Sequence, residues 1–264
     1  MGLGNPYNAT NLLAHGLKRA SCINYAQIPT TEQLRKERMN TLLSTQKGRD
    51  FFINAAYGVV FKIHSNLLIG QSKPFEQVAY PNNDLGAEKK VDLPEDVHPL
   101  LVDRMVCFIY TSAYSVDIDA TNAKVVTLQH HTSLPPNTNR NSFELAMDYT
   151  QFQVAMYGLG EQLEYSTLMS YAFSRLVQYF LHGSKDQSRV KQLIKIVFQP
   201  RGSPYRLCKD EVGALKGLGI AAVLVHEKLH WSGLLRDQFR DLLADELDQP
   251  MWKEYWACYK QVKD

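Results

Sequence analysis

The sequence predicts an α+β protein, with a small β-sheet covered by helices and a mostly helical C-terminal region. Three observations carry this expectation. Two short β-like runs, Phe51-Phe52-Ile53-Asn54-Ala55 and Val59-Val60-Phe61-Lys62-Ile63, flank Tyr57-Gly58, a pair suited to a tight hairpin. Leu100, Leu101, Met105, Phe108 and Ile109 recur at helical spacing between Val97 and Tyr110. The stretch from Gly183 onward reads as helical, interrupted at Gly202-Ser203-Pro204.

The elements follow in order. Residues 1–40 are expected to form an N-terminal helical arm, and Thr30 and Thr31 followed by Glu32 through Leu43 resemble a capped, charged helix. After the hairpin, the apolar run Ser65 to Ile69 and the punctuation Ser72-Lys73-Pro74-Phe75 predict a helix, a break and a second helix. Pro81-Asn82-Asn83-Asp84 reads as a loop, and Lys90-Val91-Asp92-Leu93 as a short strand stopped by Pro94. Residues 119–141, centred on Pro135-Pro136-Asn137, read as a long irregular loop. Two helices are expected next, at about Phe143–Leu159 and Tyr165–Leu181, with Gly158-Leu159-Gly160 separating them. The expected organisation is thus an arm (1–40), a central α+β domain (41–182) and a helical C-terminal region (183–264).

The chain has 264 residues, 45% of them hydrophobic, enough to bury a sizeable core. A formal net charge of +2, with acids and bases interspersed, argues against nucleic-acid binding by the protein's overall field. Cys22, Cys107, Cys208 and Cys258 are scattered without a CxxC pair, so reduced thiols in a cytoplasmic or nuclear protein are expected. The longest apolar stretch, Ile220 to Val225, is too short to span a bilayer, and no membrane association is expected.

The middle of the chain resembles the BTB/POZ family in the form common among fungal proteins, over about residues 48–182. Asp50 opens the hairpin, which ends in Val60-Phe61-Lys62-Ile63-His64 followed by Leu67-Leu68. Gln71-Ser72-Lys73-Pro74-Phe75 is similar to the family's R-S-x-x-F helix break. The segment Glu88 to Asp96 resembles its acidic strand and turn. Phe108-Ile109-Tyr110-Thr111-Ser112-Ala113-Tyr114 resembles F-L-Y-T-G-x-Y, and Val154 to Leu163, with Tyr157, resembles V-Y-x-L-A-D-K-Y. The resemblance implies a protein–protein interaction or scaffold module, self-associating as a homodimer or acting as an adaptor for a protein partner, with no cofactor. The signature residues Asp50, His64, Ser72, Phe75, Phe108, Tyr110 and Tyr157 are expected to be mostly structural, with His64 a hydrogen-bonded structural histidine. Two positions depart from the family. Ser65 stands where transcription-factor members carry a basic residue that pairs with the strand Asp. Val78-Ala79-Tyr80-Pro81 lacks the acid used by cullin binders, so a cullin-type ligase is possible but not signalled.

One motif points to an enzyme instead. His226-Glu227-Lys228-Leu229-His230 matches H-E-x-x-H, in which His226 and His230 would hold zinc one helical turn apart and Glu227 would act as general base. Arg236 occupies the place of a third ligand, and an arginine stays protonated and cannot ligate. Both histidines are therefore expected to be ordinary helix-surface residues, with no catalytic residue and no metal. His130-His131 is read as a solvated loop pair. A third class is a pocket lined by C-terminal aromatics: Trp231, and the i, i+3, i+4, i+7 stripe Trp252, Tyr255, Trp256 and Tyr259. These rings are the candidate partner- or ligand-binding residues. The simpler expectation is that the stripe packs against the body of the protein.

Overall fold

The computed structural model describes residues 39–45, 47–80, 88–116, 118–119, 124–125, 128–130, 133–138, 143–183, 186–200, 202–203 and 206–263. The arm at 1–38, the loop Pro81-Asn82-Asn83-Asp84, His131 and Cys22 lie outside these residues. The architecture is α+β, as the periodicities predict. The described chain divides into two compact units, one ending at Tyr171 and the other running from Ala172 to Asp264.

In the first unit, β1 (Phe51–Asn54) pairs antiparallel with β2 (Val60–Ile63), Phe51 opposite Ile63 and Asn54 opposite Val60. β3 (Lys90–Asp92) pairs parallel with β1 on its other side, giving the order β2-β1-β3. Tyr57 and Gly58 both have positive φ (59° and 70°), the conformation whose twist matches a two-residue hairpin turn. Alternation sends Phe51, Ile53, Phe61 and Ile63 into the core, fully buried. Phe52, Asn54, Val60 and Lys62 are half-buried on the opposite face, where the Lys62 ammonium lies 4.7 Å over the Phe52 ring.

Helices cover the inner face. A turn of 310 helix (Ser65–Leu68) leads to α1 (Lys73–Ala79), started by the Ser72 hydroxyl accepting from the Phe75 N–H and by proline in its first turn. α2 (Pro99–Thr111) is buried along most of its length and ends on Ser112 in the left-handed conformation. The 119–141 region is less irregular than its sequence indicates. β4 (Ile118–Asp119) and β5 (Lys124–Val125) form a small hairpin, and Ser133 bridges to Val60 at the edge of β2. The buried Asp103 anchors this region by accepting the N–H groups of Gln129 (2.7 Å) and His130 (2.6 Å), while ion-paired with the equally buried Arg104.

α3 (Tyr149–Gln162) starts later than the apolar pattern indicates, because Asp148 and Gln151 form a reciprocal capping box. Gly158-Leu159-Gly160 does not separate two helices; α3 runs through it. The break falls at Leu163-Glu164, with Glu164 left-handed (φ 49°), before α4 (Ser166–Val177). Gly160 serves close packing instead: a Cβ there would stand 2.8 Å from the Met169 Cγ and 3.0 Å from the Met169 main-chain nitrogen.

The second unit is helical. A π-helical segment (Gln178–Gly183) precedes α5 (Gln187–Val197), α6 (Ala214–Leu229), α7 (Gly233–Glu246) and α8 (Gln249–Lys263). α6 is the central helix, buried almost continuously from Ala214 to Glu227 and packed by α5 and α8. Gly219 permits the α5 contact, since a Cβ there would meet the Ile194 Cδ1 at 2.9 Å. The Asp210 carboxylate caps α6 by accepting from the N–H groups of Leu215 and Lys216. Among the described residues no helix is long and apolar enough to cross a membrane.

Candidate functional site

Two of the signature residues of the first unit, His64 and Tyr110, bond to each other. His64, at the end of β2, uses both ring nitrogens: Nε2 lies 3.0 Å from the Lys47 carbonyl and Nδ1 lies 2.6 Å from the Tyr110 hydroxyl. A carbonyl only accepts, so Nε2 carries the proton and the Tyr110 hydroxyl donates to Nδ1. The Tyr110 oxygen in turn accepts the His64 N–H at 3.1 Å. Burial pushes the Tyr110 phenol above its ordinary range, which keeps it a donor. The Ser72 hydroxyl, besides capping α1, donates to the Leu163 carbonyl at the end of α3 (2.6 Å). Phe75, Phe108 and Tyr157 are buried, with Phe75 against Phe51 and Phe108 against Tyr114, Tyr165 and Tyr171.

Asp50 is the exposed member, and its surroundings were not legible in the sequence. Its carboxylate accepts from the Ser65 N–H (2.9 Å), the Ser65 hydroxyl (2.7 Å) and the Lys89 ammonium (2.9 Å). Lys89, just before β3, is thus the cationic partner of Asp50. Ser65 completes the cluster by accepting a second Lys89 hydrogen bond at 3.2 Å. Burial raises the Asp50 pKa, but the Ser65 and Lys89 hydrogen bonds together outweigh it and hold the carboxyl at about 2. Lys89 could be found only through the parallel register of β1 and β3, which no local motif encodes.

In the second unit, the H-E-x-x-H residues have other partners. His226 is buried, not on the helix surface as expected, and its Nε2 donates to the Phe180 carbonyl at 3.0 Å. That nitrogen carries a proton and has no lone pair for a metal. His230, at the exposed end of α6, lies beside it with ring centroids 5.3 Å apart. Glu227 is buried and both its oxygens are engaged. Oε2 accepts from the Tyr259 hydroxyl (2.6 Å) and Oε1 faces the Arg240 guanidinium (3.3 Å). Glu227 is thus tied through one oxygen to α8 and through the other to α7. Among the described residues, no three of His, Cys, Asp and Glu are grouped to hold a metal ion.

The C-terminal aromatics fall into two sets. Trp231 stacks on His226 (5.5 Å) and packs on Phe239 (4.6 Å). The stripe on α8 is a continuous ladder of ring contacts, Trp252–Tyr255, Trp252–Trp256 and Tyr255–Tyr259 among them. Tyr255 and Tyr259 are buried, Tyr255 against Phe198, whereas Trp252 and Trp256 are half-buried. Met251, Tyr255 and Tyr259 therefore form the inward line, and the tryptophans stand at its margin, with Lys253, Glu254 and Lys260 exposed. Burial pushes the Tyr259 phenol up to about 12, and the Glu227 carboxylate it serves adds to the shift.

The remaining surface carries large apolar side chains. Tyr57, Ile69 and Tyr80 are exposed in the first unit, and Leu229, Leu234, Leu235 and Leu242 in the second. Compared with protein-family models and with curated proteins, the chain matches none.

Proposed function

We propose that this protein is an interaction module of the BTB/POZ type, which self-associates or holds a protein partner through its first unit. The observation that carries the reading is that motif residues from separate segments are buried in one unit, with His64 bonded to Tyr110. His64, Tyr110, Ser72, Phe75 and Phe108 are these buried residues, and Asp50 has a cationic partner in Lys89. Their role is to fix the surface, and recognition lies on what remains exposed. The exposed aromatics and leucines suit a protein whose work is contact with other chains.

Light scattering on the full-length protein, combined with co-purification from its native cell, tests this reading. A dimer, or a stoichiometric protein partner lost when the exposed Tyr57 and Ile69 are replaced by Ser, is the expected result. A strict monomer with no protein partner would turn the reading toward a ligand-binding or enzymatic protein.

A further inference from the structure

We infer that the outer edge of β3 is a self-pairing surface, on which a second copy of this chain adds its own β3 antiparallel to form one continuous sheet. The inference rests on the proposed self-associating function and names the surface that performs it.

The two edges of the sheet differ. At the β2 edge, Val60 exchanges both main-chain hydrogen bonds with Ser133 (3.2 Å each), and the Lys62 carbonyl accepts from the Arg49 guanidinium at 3.0 Å. The β3 edge closes the strand order with nothing beyond it among the described residues. Lys89 accepts from the Phe52 N–H through its carbonyl, and the Leu93 N–H donates to the Asn54 carbonyl. These odd-numbered residues therefore turn their main-chain groups toward β1. Strand alternation turns the N–H and C=O of Lys90 and Asp92 outward.

An open edge with a single sign of charge repels its own copy, which is how many edges are kept apart. This edge carries both signs. Lys90 and Asp92 are exposed on the same face, with the ammonium 3.6 Å from the Asp92 carboxylate and Asn54 donating to that carboxylate at 2.6 Å. With a twofold axis at Val91, Lys90 of one copy lies opposite Asp92 of the other, and Asp92 opposite Lys90. These are also the residues whose main-chain groups face out, so each opposed pair exchanges N–H and C=O. The charges then form an alternating square in which every nearest neighbour has opposite sign. Pairing shifted by two residues loses both matches and sets Lys90 against Lys90 or Asp92 against Asp92. The three residues Lys90-Val91-Asp92 are thus self-complementary in backbone and charge together.

A short edge makes a small interface, so the association is weak and is read at protein concentrations up to about 0.5 mM. Sedimentation equilibrium of the full chain should show a monomer–dimer equilibrium. Lys90→Glu places an acid opposite Asp92 and should raise the dissociation constant on the order of tenfold. Asp92→Lys should do the same with two lysines. An equimolar mixture of the two variants restores opposite charges at both positions, so it should dimerise as the native protein does. Retained dimers in both variants would overturn the edge as the surface while leaving self-association intact. A native chain that stays monomeric throughout would overturn both. Should either variant fail to fold by circular dichroism, amide exchange of the native protein decides the matter. The N–H groups of Lys90 and Asp92 should become protected as concentration rises, and concentration-independent exchange would refute the pairing.

Discussion

The Tyr259 hydroxyl donates to the buried Glu227 carboxylate at 2.6 Å, joining α8 to the central helix α6. Tyr259→Phe removes the donor and leaves a buried oxygen without it. We expect a loss on the order of 1–3 kcal/mol, seen as a lower urea midpoint with unchanged slope. Arg240 reaches the same carboxylate from a half-exposed position, so Arg240→Ala should cost under about 1 kcal/mol. Equal losses in the two variants would mean that the ion pair holds Glu227 as strongly as the phenol does.

Asp50 should shape the acid limb of stability. Its folded pKa, about 2, lies below the ordinary 3.8. The stabilisation it contributes is complete above pH 3.8 and is lost as pH falls from there through about 2. The stability difference between the native protein and Asp50→Asn should therefore be constant above this window and shrink within it. Denaturant titrations at a series of pH values check this. A difference independent of pH would show that the Ser65 and Lys89 contacts do not favour the charged form.

Gly160→Ala should be destabilising by about 1–3 kcal/mol despite alanine's better helix propensity, because the added methyl meets the main chain of Met169. Gly158→Ala, in the same helix, supplies the comparison. If position 160 tolerates alanine as well as position 158 does, the start of α4 moves freely and the close approach is unimportant.

The buried Asp103–Arg104 pair should be far less tolerant than any surface pair. Asp103→Ala strands the Arg104 guanidinium and releases the N–H groups of Gln129 and His130, for a loss of about 3–5 kcal/mol. Hydrogen exchange should quicken at those two amides ahead of global unfolding.

On α8, Tyr255→Ala should cost about 3–5 kcal/mol and Trp252→Ala clearly less, following their difference in burial. Truncation before Pro250 should lower the melting temperature of the isolated protein. Unchanged stability with a lost partner would make the stripe a recognition surface.

Local signals carried much of the architecture and little of the long-range chemistry. The Tyr57-Gly58 hairpin, the strand at Lys90 and the helix from Pro99 were legible because turn chemistry and periodicity are local. The α3–α4 break was not, because a left-handed Glu164 has no composition signal, whereas the two glycines before it do. Asp148 and Gln151 did spell a capping box, which would have corrected the start of α3. The engagement of His226 with Phe180, of Glu227 with Tyr259 and of Asp50 with Lys89 all depend on tertiary register. Spacing alone made the first two resemble a metal site.

The parallel pairing of β1 with β3 also sets a schedule for synthesis. Asn54 and its partner Asp92 are 38 residues apart, whereas the β1–β2 hairpin closes locally. At ordinary translation rates the ribosome needs about 2–8 s to deliver β3 after β1. Until then the β1 edge that takes β3 has no partner strand. The nascent chain is then most open to capture by other strands, and a chaperone would have most to protect.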